Sequence, residues 1–238
     1  MSFGSFVLPW TRHVRAGRDF LHRALQAASK MGDLNCAAYS GGHLATNLLA
    51  AGDPLVDVQR ETENALAFAQ KTRFGFVIDI TATQLGLIRT LRGLTPKFGS
   101  FDDGEFDELG IERRFARSPH LAYAAGRYWI RKLQARFFAG EYAAAVEASS
   151  RAQSLLWTVV SHFETAEYDF YGALSRAASC DSAPAGEQRQ HLEASGGASQ
   201  TTPGLGGQLP GQFREPRRAS RRRDRPIGRS RSRCRAPL

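Results

Sequence analysis

Cysteine is nearly absent from this sequence, and the three present, Cys36, Cys180 and Cys234, lie far apart with no C-x-x-C pair. Neither a disulfide framework nor a thiolate zinc site is suggested. Long hydrophobic runs are also missing. The most apolar stretch, "FGFVIDI", is broken by Asp79. In the opening "MSFGSFVLPWTRHVR" the apolar part precedes the basic residues and is too short for a signal-peptide core. No membrane span or export signal is legible, and a cytoplasmic chain is expected. Phosphate-handling motifs are lacking too: there is no G-x-x-x-x-G-K-[ST] loop, no H-R-D with D-F-G, and no placeable phosphoacceptor histidine segment. The six histidines, His13, His22, His43, His120, His162 and His191, are scattered singly, without the i, i+4 spacing of a helical metal site. Neither a catalytic residue nor a cofactor or metal is expected.

The positive charge is confined to one end. Residues 195–238 hold eleven arginines against Glu215 and Asp224, which accounts for the whole formal charge of +9 and leaves the rest of the chain neutral. Any nucleic-acid contact must therefore run through that tail. Its composition, "SGGASQTTPGLGGQLPGQF" followed by arginine, proline and serine, reads as a disordered segment. It also has the composition of a GC-rich gene read out of frame. From Ala198 onward a one-base shift, with synonymous codons chosen freely, permits a stop-free helical reading that includes "NFENRAALVGAEIAR". A frameshifted tail is expected, with the chain divided into a helical region 1–194 and a tail 195–238.

The body reads as amphipathic helices separated by glycine turns at Gly32, Gly52, Gly93 and Gly140. Leu21, Ala24, Leu25 and Ala28 share one face. Leu55, Val58, Thr62, Ala65 and Ala69 follow with 3, 4, 3, 4 spacing, Asp53 placed to cap and Pro54 to occupy the first helical position. The β-branched "FGFVIDITAT" favours a strand locally, but Ile78, Ala82, Leu85, Ile88 and Leu91 continue at helical spacing, so a helix is expected. Further stripes are Ala122, Ala125, Trp129, Leu133 and Phe137; Tyr142, Ala145, Ala148, Ala152 and Leu155; and Phe163, Ala166, Phe170, Leu174 and Ala177. Residues 93–118 are left as a connection. Their acidic "FDDGEFDE" lacks the alternating ligand positions of a calcium loop and is expected to be solvated.

The stretch "YWIRKLQARFFAGEYAAAVEASSRAQ" resembles a tetratricopeptide hairpin. Trp129 and Phe137 supply aromatics, Gly140 stands at the bend, Tyr142 follows it, and Ala145 and Ala152 allow close helix approach. Leu133 departs from the usual small residue and Ser149 from a large one. An all-α, tetratricopeptide-like right-handed superhelix is the expected fold. Tyr128, Trp129, Phe137, Phe138, Tyr142 and Trp157 are expected to be mostly core. Uncapped repeat ends predict self-association. "TRHVRAGR" places Arg12, Arg15 and Arg18 near one face after Trp10, suited to a phosphate or an acidic partner helix or simply solvated. Glu164, Glu167 and Asp169 beside His162 read as the polar side of an amphipathic helix rather than an acid–base pair.

Together, "VLPWTRHVRAGRDFL", "LLAAGDPLVDVQRETENALAFAQKTRFGFVIDI", "QLGLIRTLRGLTPKFGSFDDGEFDELGIERRFA" and "FETAEYDFYGALSRAASCDSAPA" resemble the helical middle region of very large bacterial signalling proteins. Those join a serine/threonine kinase-like domain, a P-loop ATPase, this region, a GAF sensor and a histidine kinase. The resemblance covers residues 3–194 and implies a fragment, with Met1 an internal start or gene remnant. It implies a non-enzymatic helical scaffold that makes protein contacts within the parent or with other proteins. The kinase and ATPase activities would belong to the intact parent. A nucleic-acid-binding protein acting through the basic arm is the alternative.

Overall fold

The computed structural model describes residues 1–182, and among these every regular element is helical. The boundary at residue 194 and the tail assigned to 195–238 lie outside the described residues. A π-helical turn, Phe3–Val7, leads into the short α1 (Leu8–Thr11) and a 3-10 turn, Val14–Gly17. Then come α2 (Arg18–Met31), α3 (Leu34–Ala50), α4 (Leu55–Lys71), α5 (Gly75–Leu91), α6 (Glu108–Arg117), α7 (Ala122–Phe138), α8 (Tyr142–Gln153) and α9 (Phe163–Ser182). No helix among the described residues is long and apolar enough to cross a membrane.

Most helices pack on their sequence neighbours, α5 packs on α7 across the short α6, and α3 with α5 and α7 with α9 also touch across the intervening helix. The turns follow from local chemistry. Gly32 and Gly140 both take φ +73°, the left-handed conformation that lets the chain close a helix and reverse without a Cβ clash. Asp33 then caps α3 by accepting from Cys36 N at 2.9 Å. At α4 the expected capping register is off by one: Pro54 itself is the N-cap, and Asp53 is instead drawn to Arg18, 2.5 Å away.

"FGFVIDITAT" forms the start of α5, as its period required. Its β-branched residues are accommodated because α5 is enclosed by α3, α4 and α7, and Val77, Ile80, Leu85, Leu87 and Ile88 are all buried. The expected faces of α2 and α4 are also the buried ones, Leu21 and Ala28 on the first and Val58, Thr62, Ala65 and Ala69 on the second.

Three expectations need correction. Residues 93–118 are not merely a connection, since they contain α6, capped by Asp107 accepting from Gly110 N at 2.9 Å. Nor is the acidic stretch simply solvated. Phe101 is fully buried against Tyr128 and Phe115, close enough to Gly86 of α5 that a Cβ there would lie 3.0 Å from its ring base. The carboxylates are used internally: Asp103 accepts from Glu105 N and Phe106 N, both at 2.8 Å, and Asp102 from Glu108 N at 2.8 Å. Second, "TRHVRAGR" is not one helix. Arg12 is the extended C-cap of α1 and His13 caps the following 3-10 turn, so Arg12, Arg15 and Arg18 share no helical face.

The third correction concerns α9. Its buried side is not Phe163, Ala166, Phe170, Leu174 and Ala177. Phe163 is buried, but Phe170, Leu174 and Ala177 are exposed, whereas Glu164, Glu167, Tyr168 and Ser175 face inward. The hydrophobic pattern misleads because α7 presents arginine, not an apolar stripe, to this helix.

Candidate functional site

Helix α7 is central and nearly enclosed, and its apolar stripe is only half of its story. Arg127, Arg131 and Lys132 are 3%, 1% and 7% exposed. The four-residue spacing of Arg127 and Arg131 places both guanidiniums on one face, and the three-residue spacing of Glu164 and Glu167 does the same on α9. Where the two faces meet, Glu164 Oε1 accepts from both arginines, at 3.1 Å from Arg131 Nη2. Arg131 Nη1 reaches Glu167 Oε2 at 2.6 Å and Gln134 Oε1 at 2.8 Å.

Arg127 carries the network outward, donating to Thr46 Oγ1 of α3 at 3.0 Å and to the Tyr123 hydroxyl at 3.2 Å. Thr46 in turn donates to Gln84 Oε1 of α5 at 2.8 Å. Four helices, α3, α5, α7 and α9, are thus tied at one polar centre. Two cations meet two carboxylates, so the centre is charge-balanced. Such a cluster gives little net stability over an apolar core of the same shape, but losing one partner strands a buried charge.

The electrostatics follow from this balance. Burial would push the Glu164 carboxyl up, yet Arg127 and then Arg131 outweigh it and hold the group down at about 2. Burial would also lower Arg127, and Glu164 with Tyr123 overrides it, raising the guanidinium further. His162 lies at the edge, its Nε2 2.7 Å from the Tyr123 hydroxyl, with its pKa lowered chiefly by burial. His43 has its ring centroid 6.0 Å from that of His162 and 5.2 Å from that of Phe6. Burial, then Arg127, lowers it to about 3, so it stays neutral across the ordinary range. Among the described residues no group of three or more His, Cys, Asp or Glu side chains is arranged to hold a metal ion.

A second charged station fixes the long connection. Lys132 Nζ pairs with Glu108 Oε1 at 2.5 Å, and Glu108 also accepts from Phe101 N at 2.8 Å and Ser100 Oγ at 2.9 Å. Tyr128 donates to Glu112 at 2.6 Å. Lysine and tyrosine of α7 therefore strap residues 100–112 to the body.

Beside the balanced centre lies an open cleft of about 270 Å³. Leu49 of α3, Leu87 and Leu91 of α5, Phe138 of α7, and Phe163 and Phe170 of α9 line it, and Gln134 and Glu167 form its polar part. Phe138 and Phe170 are 45% and 46% exposed there, so the aromatic set divides: Tyr128 is core, Trp129, Phe137 and Tyr142 are half-buried, and Phe138 and Trp157 are exposed.

The residues singled out in the sequence fall in two places. Trp129, Phe137, Gly140, Tyr142, Ala145 and Ala152 come together in the α7–α8 hairpin. Ala145 and Ala152 are fully buried, Arg151 lies 4.7 Å over the Trp129 ring, and the Phe137 ring is 5.9 Å from Tyr142. Trp10 and Arg15 lie elsewhere and tie the N-terminal segment to distant turns: Trp10 Nε1 donates to Ser161 O at 3.2 Å, and Arg15 Nη2 donates to Ala51 O at 3.0 Å just past α3. Arg12 is exposed. Sequence reasoning missed Arg127, Arg131, Lys132, Thr46 and Gln84. The signal that could have found them was R-x-x-x-R on one helix and E-x-x-E on another, each spaced to share a face. Searches of family models, curated proteins and solved structures return no match to this chain.

Proposed function

We propose that the chain is a non-enzymatic, tetratricopeptide-like superhelical segment of a bacterial signalling ATPase/kinase, acting through protein contacts. The observation that carries this reading is the open cleft, with Phe138 and Phe170 presenting apolar rings to solvent beside a polar centre whose charges are mutually paired. A contact surface needs exposed aromatic area; a hydrolytic centre needs an ionised group addressed to substrate. Arg131 and Glu164 are instead addressed to one another.

The repeat reading is supported by helix pairs joined at left-handed glycines, by the close approach at Ala145 and Ala152, and by the convergence of alternate helices α3, α5, α7 and α9. In a right-handed solenoid alternate helices form one layer, and a cleft at their convergence is a concave face. A cytoplasmic setting, inside a parent that carries the catalytic parts, belongs to this reading. Self-association through the uncapped repeat ends also belongs to it, and Trp157 and Val160, 72% and 67% exposed, are the side chains it would cover.

The arginines of residues 195–238 favour one competing reading, phosphate-backbone binding with affinity falling steeply in salt. Resequencing the gene across the codons for Leu192 to Ala198 separates the two. A restored frame running into sensor and kinase regions supports the scaffold. A confirmed frame, with the 238-residue product found by mass, supports the basic arm. ATP hydrolysis or phosphotransfer by the purified chain, abolished by a single point change, would refute the non-enzymatic reading.

A further inference from the structure

The cleft between α3, α5, α7 and α9 is apolar in its walls but carries a carboxylate. The Glu167 side chain is 10% exposed, and its Oε2 is held by Arg131 Nη1 at 2.6 Å. Its other oxygen, Oε1, has no hydrogen-bond or ion-pair partner among the described residues, and Glu167 lines the cleft. Glu164 contrasts with it, since its side chain is 2% exposed and does not line the cleft. The carboxylate of the open cleft is therefore that of Glu167, with Oε1 as its remaining acceptor.

The rest of the lining is aromatic and aliphatic. The Tyr171 ring lies 5.4 Å from Phe138 and 5.2 Å from Phe170, and Leu87 and Leu91 line the same cleft. A carboxylate between aromatic faces and aliphatic surface suits a cation that is planar, weakly hydrated and carried on an apolar stem. Guanidinium meets all three conditions: it donates to a carboxylate oxygen, stacks on an aromatic face, and lets its methylenes cover leucine. An ammonium is more strongly hydrated and loses more on entering. Exposed apolar surface also continues beyond the cleft along α9 through Leu174 to Ala177. A free amino acid would leave that strip uncovered, while a peptide segment with apolar residues flanking an arginine would cover it.

We propose that this cleft receives an arginine side chain from a partner protein, the guanidinium on Glu167 and the flanking apolar residues on Phe138, Phe170 and Leu174. The proposal rests on the protein-contact reading above and names the chemistry of the partner.

The test titrates the full chain calorimetrically with a blocked peptide of sequence Leu-Ala-Arg-Ala-Leu, and with the same peptide carrying citrulline or lysine in place of arginine. Citrulline keeps the shape and removes the charge. Arginine is expected to bind about ten-fold more tightly than citrulline, the worth of one charge-assisted hydrogen bond, with lysine between them. Glu167→Gln is expected to erase the difference between arginine and citrulline. Phe170→Ser, at an exposed position, is expected to weaken both peptides several-fold with an unchanged circular dichroism spectrum, so the proposal stays testable if the Glu167 variant misfolds. Equal affinity for arginine and citrulline overturns the arginine assignment and leaves an apolar protein contact standing. Failure of every peptide to bind overturns both the arginine assignment and the cleft as a contact surface. If binding appears only after the arginines of residues 195–238 are changed to glutamine, the occupant is this chain's own tail and the partner proposal is overturned.

Discussion

Lowering the pH from 7 to 5 should destabilise this protein by about 2 kcal/mol through His43 alone. An unfolded histidine titrates near 6.5, whereas burial beside Phe6 and the positive charge of Arg127 keep folded His43 neutral down to about 3. Between those values the unfolded chain binds a proton that the folded chain refuses, so stability rises with pH throughout the window. His162 is lowered for the same reason and adds to the slope. Glu164 has the same sign but a lower window. Its folded value of about 2 lies below the usual carboxylate range, so its contribution is complete above that range and is lost only as the pH falls from there toward 2. Asp169 opposes them, because burial raises it and the folded state then holds the extra proton. Urea midpoints followed by circular dichroism at fixed ionic strength, from pH 8 to pH 4, measure the slope directly. His43→Gln, which cannot titrate, should remove the larger part of the dependence between pH 7 and pH 5. A flat midpoint over that interval, or an unchanged slope in the variant, would refute the claim that His43 is held neutral by its surroundings.

Two further perturbations probe the packing. Arg131→Met removes the cation shared by Glu164 and Glu167 and should cost about 3–5 kcal/mol in urea unfolding, since buried carboxylate is left short of a partner; a loss under about 1 kcal/mol would mean that water reaches the centre. Gly86→Ala drives a methyl to 3.0 Å from Cβ and Cγ of Phe101, and should cost about 1–3 kcal/mol and speed hydrogen exchange at the Phe101 amide; unchanged exchange would show that residues 100–112 are not held by that contact.

The helices themselves were legible because their signals are local. Apolar spacing and the glycines at positions 32, 52, 93 and 140 fix where the chain coils and where it reverses, and neither depends on what lies opposite. α5 is the instructive success, since the helical period from Ile78 to Leu91 outweighed the strand preference of Val77, Ile78 and Ile80. α6 was missed because only ten residues carry it and its burial rests on Phe115 and Glu108, a partner for Lys132 in another helix. The candidate cleft was illegible for a related reason. Its leucines and phenylalanines come from four helices; Leu91, Phe163 and Phe170 read as ordinary core within their own stripes, and Leu49, Leu87 and Phe138 fall in no stripe.

Reversal of α9 shows how far a hydrophobic pattern can decide orientation. Turning Phe170 and Leu174 inward would bury more carbon, and on area alone that face should win at roughly 25 cal/mol per Å². It would also turn Glu164 and Glu167 out to water and leave Arg127 and Arg131 of α7 buried without carboxylates, at several kcal/mol for each stranded charge. Two unpaired guanidiniums outweigh two phenyl and leucyl faces, so the charges choose the orientation and the apolar side is left facing out. On this account the exposed aromatic surface is a consequence of how α7 is built. An α7 with methionine at positions 127 and 131 and an α9 with leucine at 164 and 167 would lose the constraint. Phe170 would then be free to turn inward, and the cleft beside it would close.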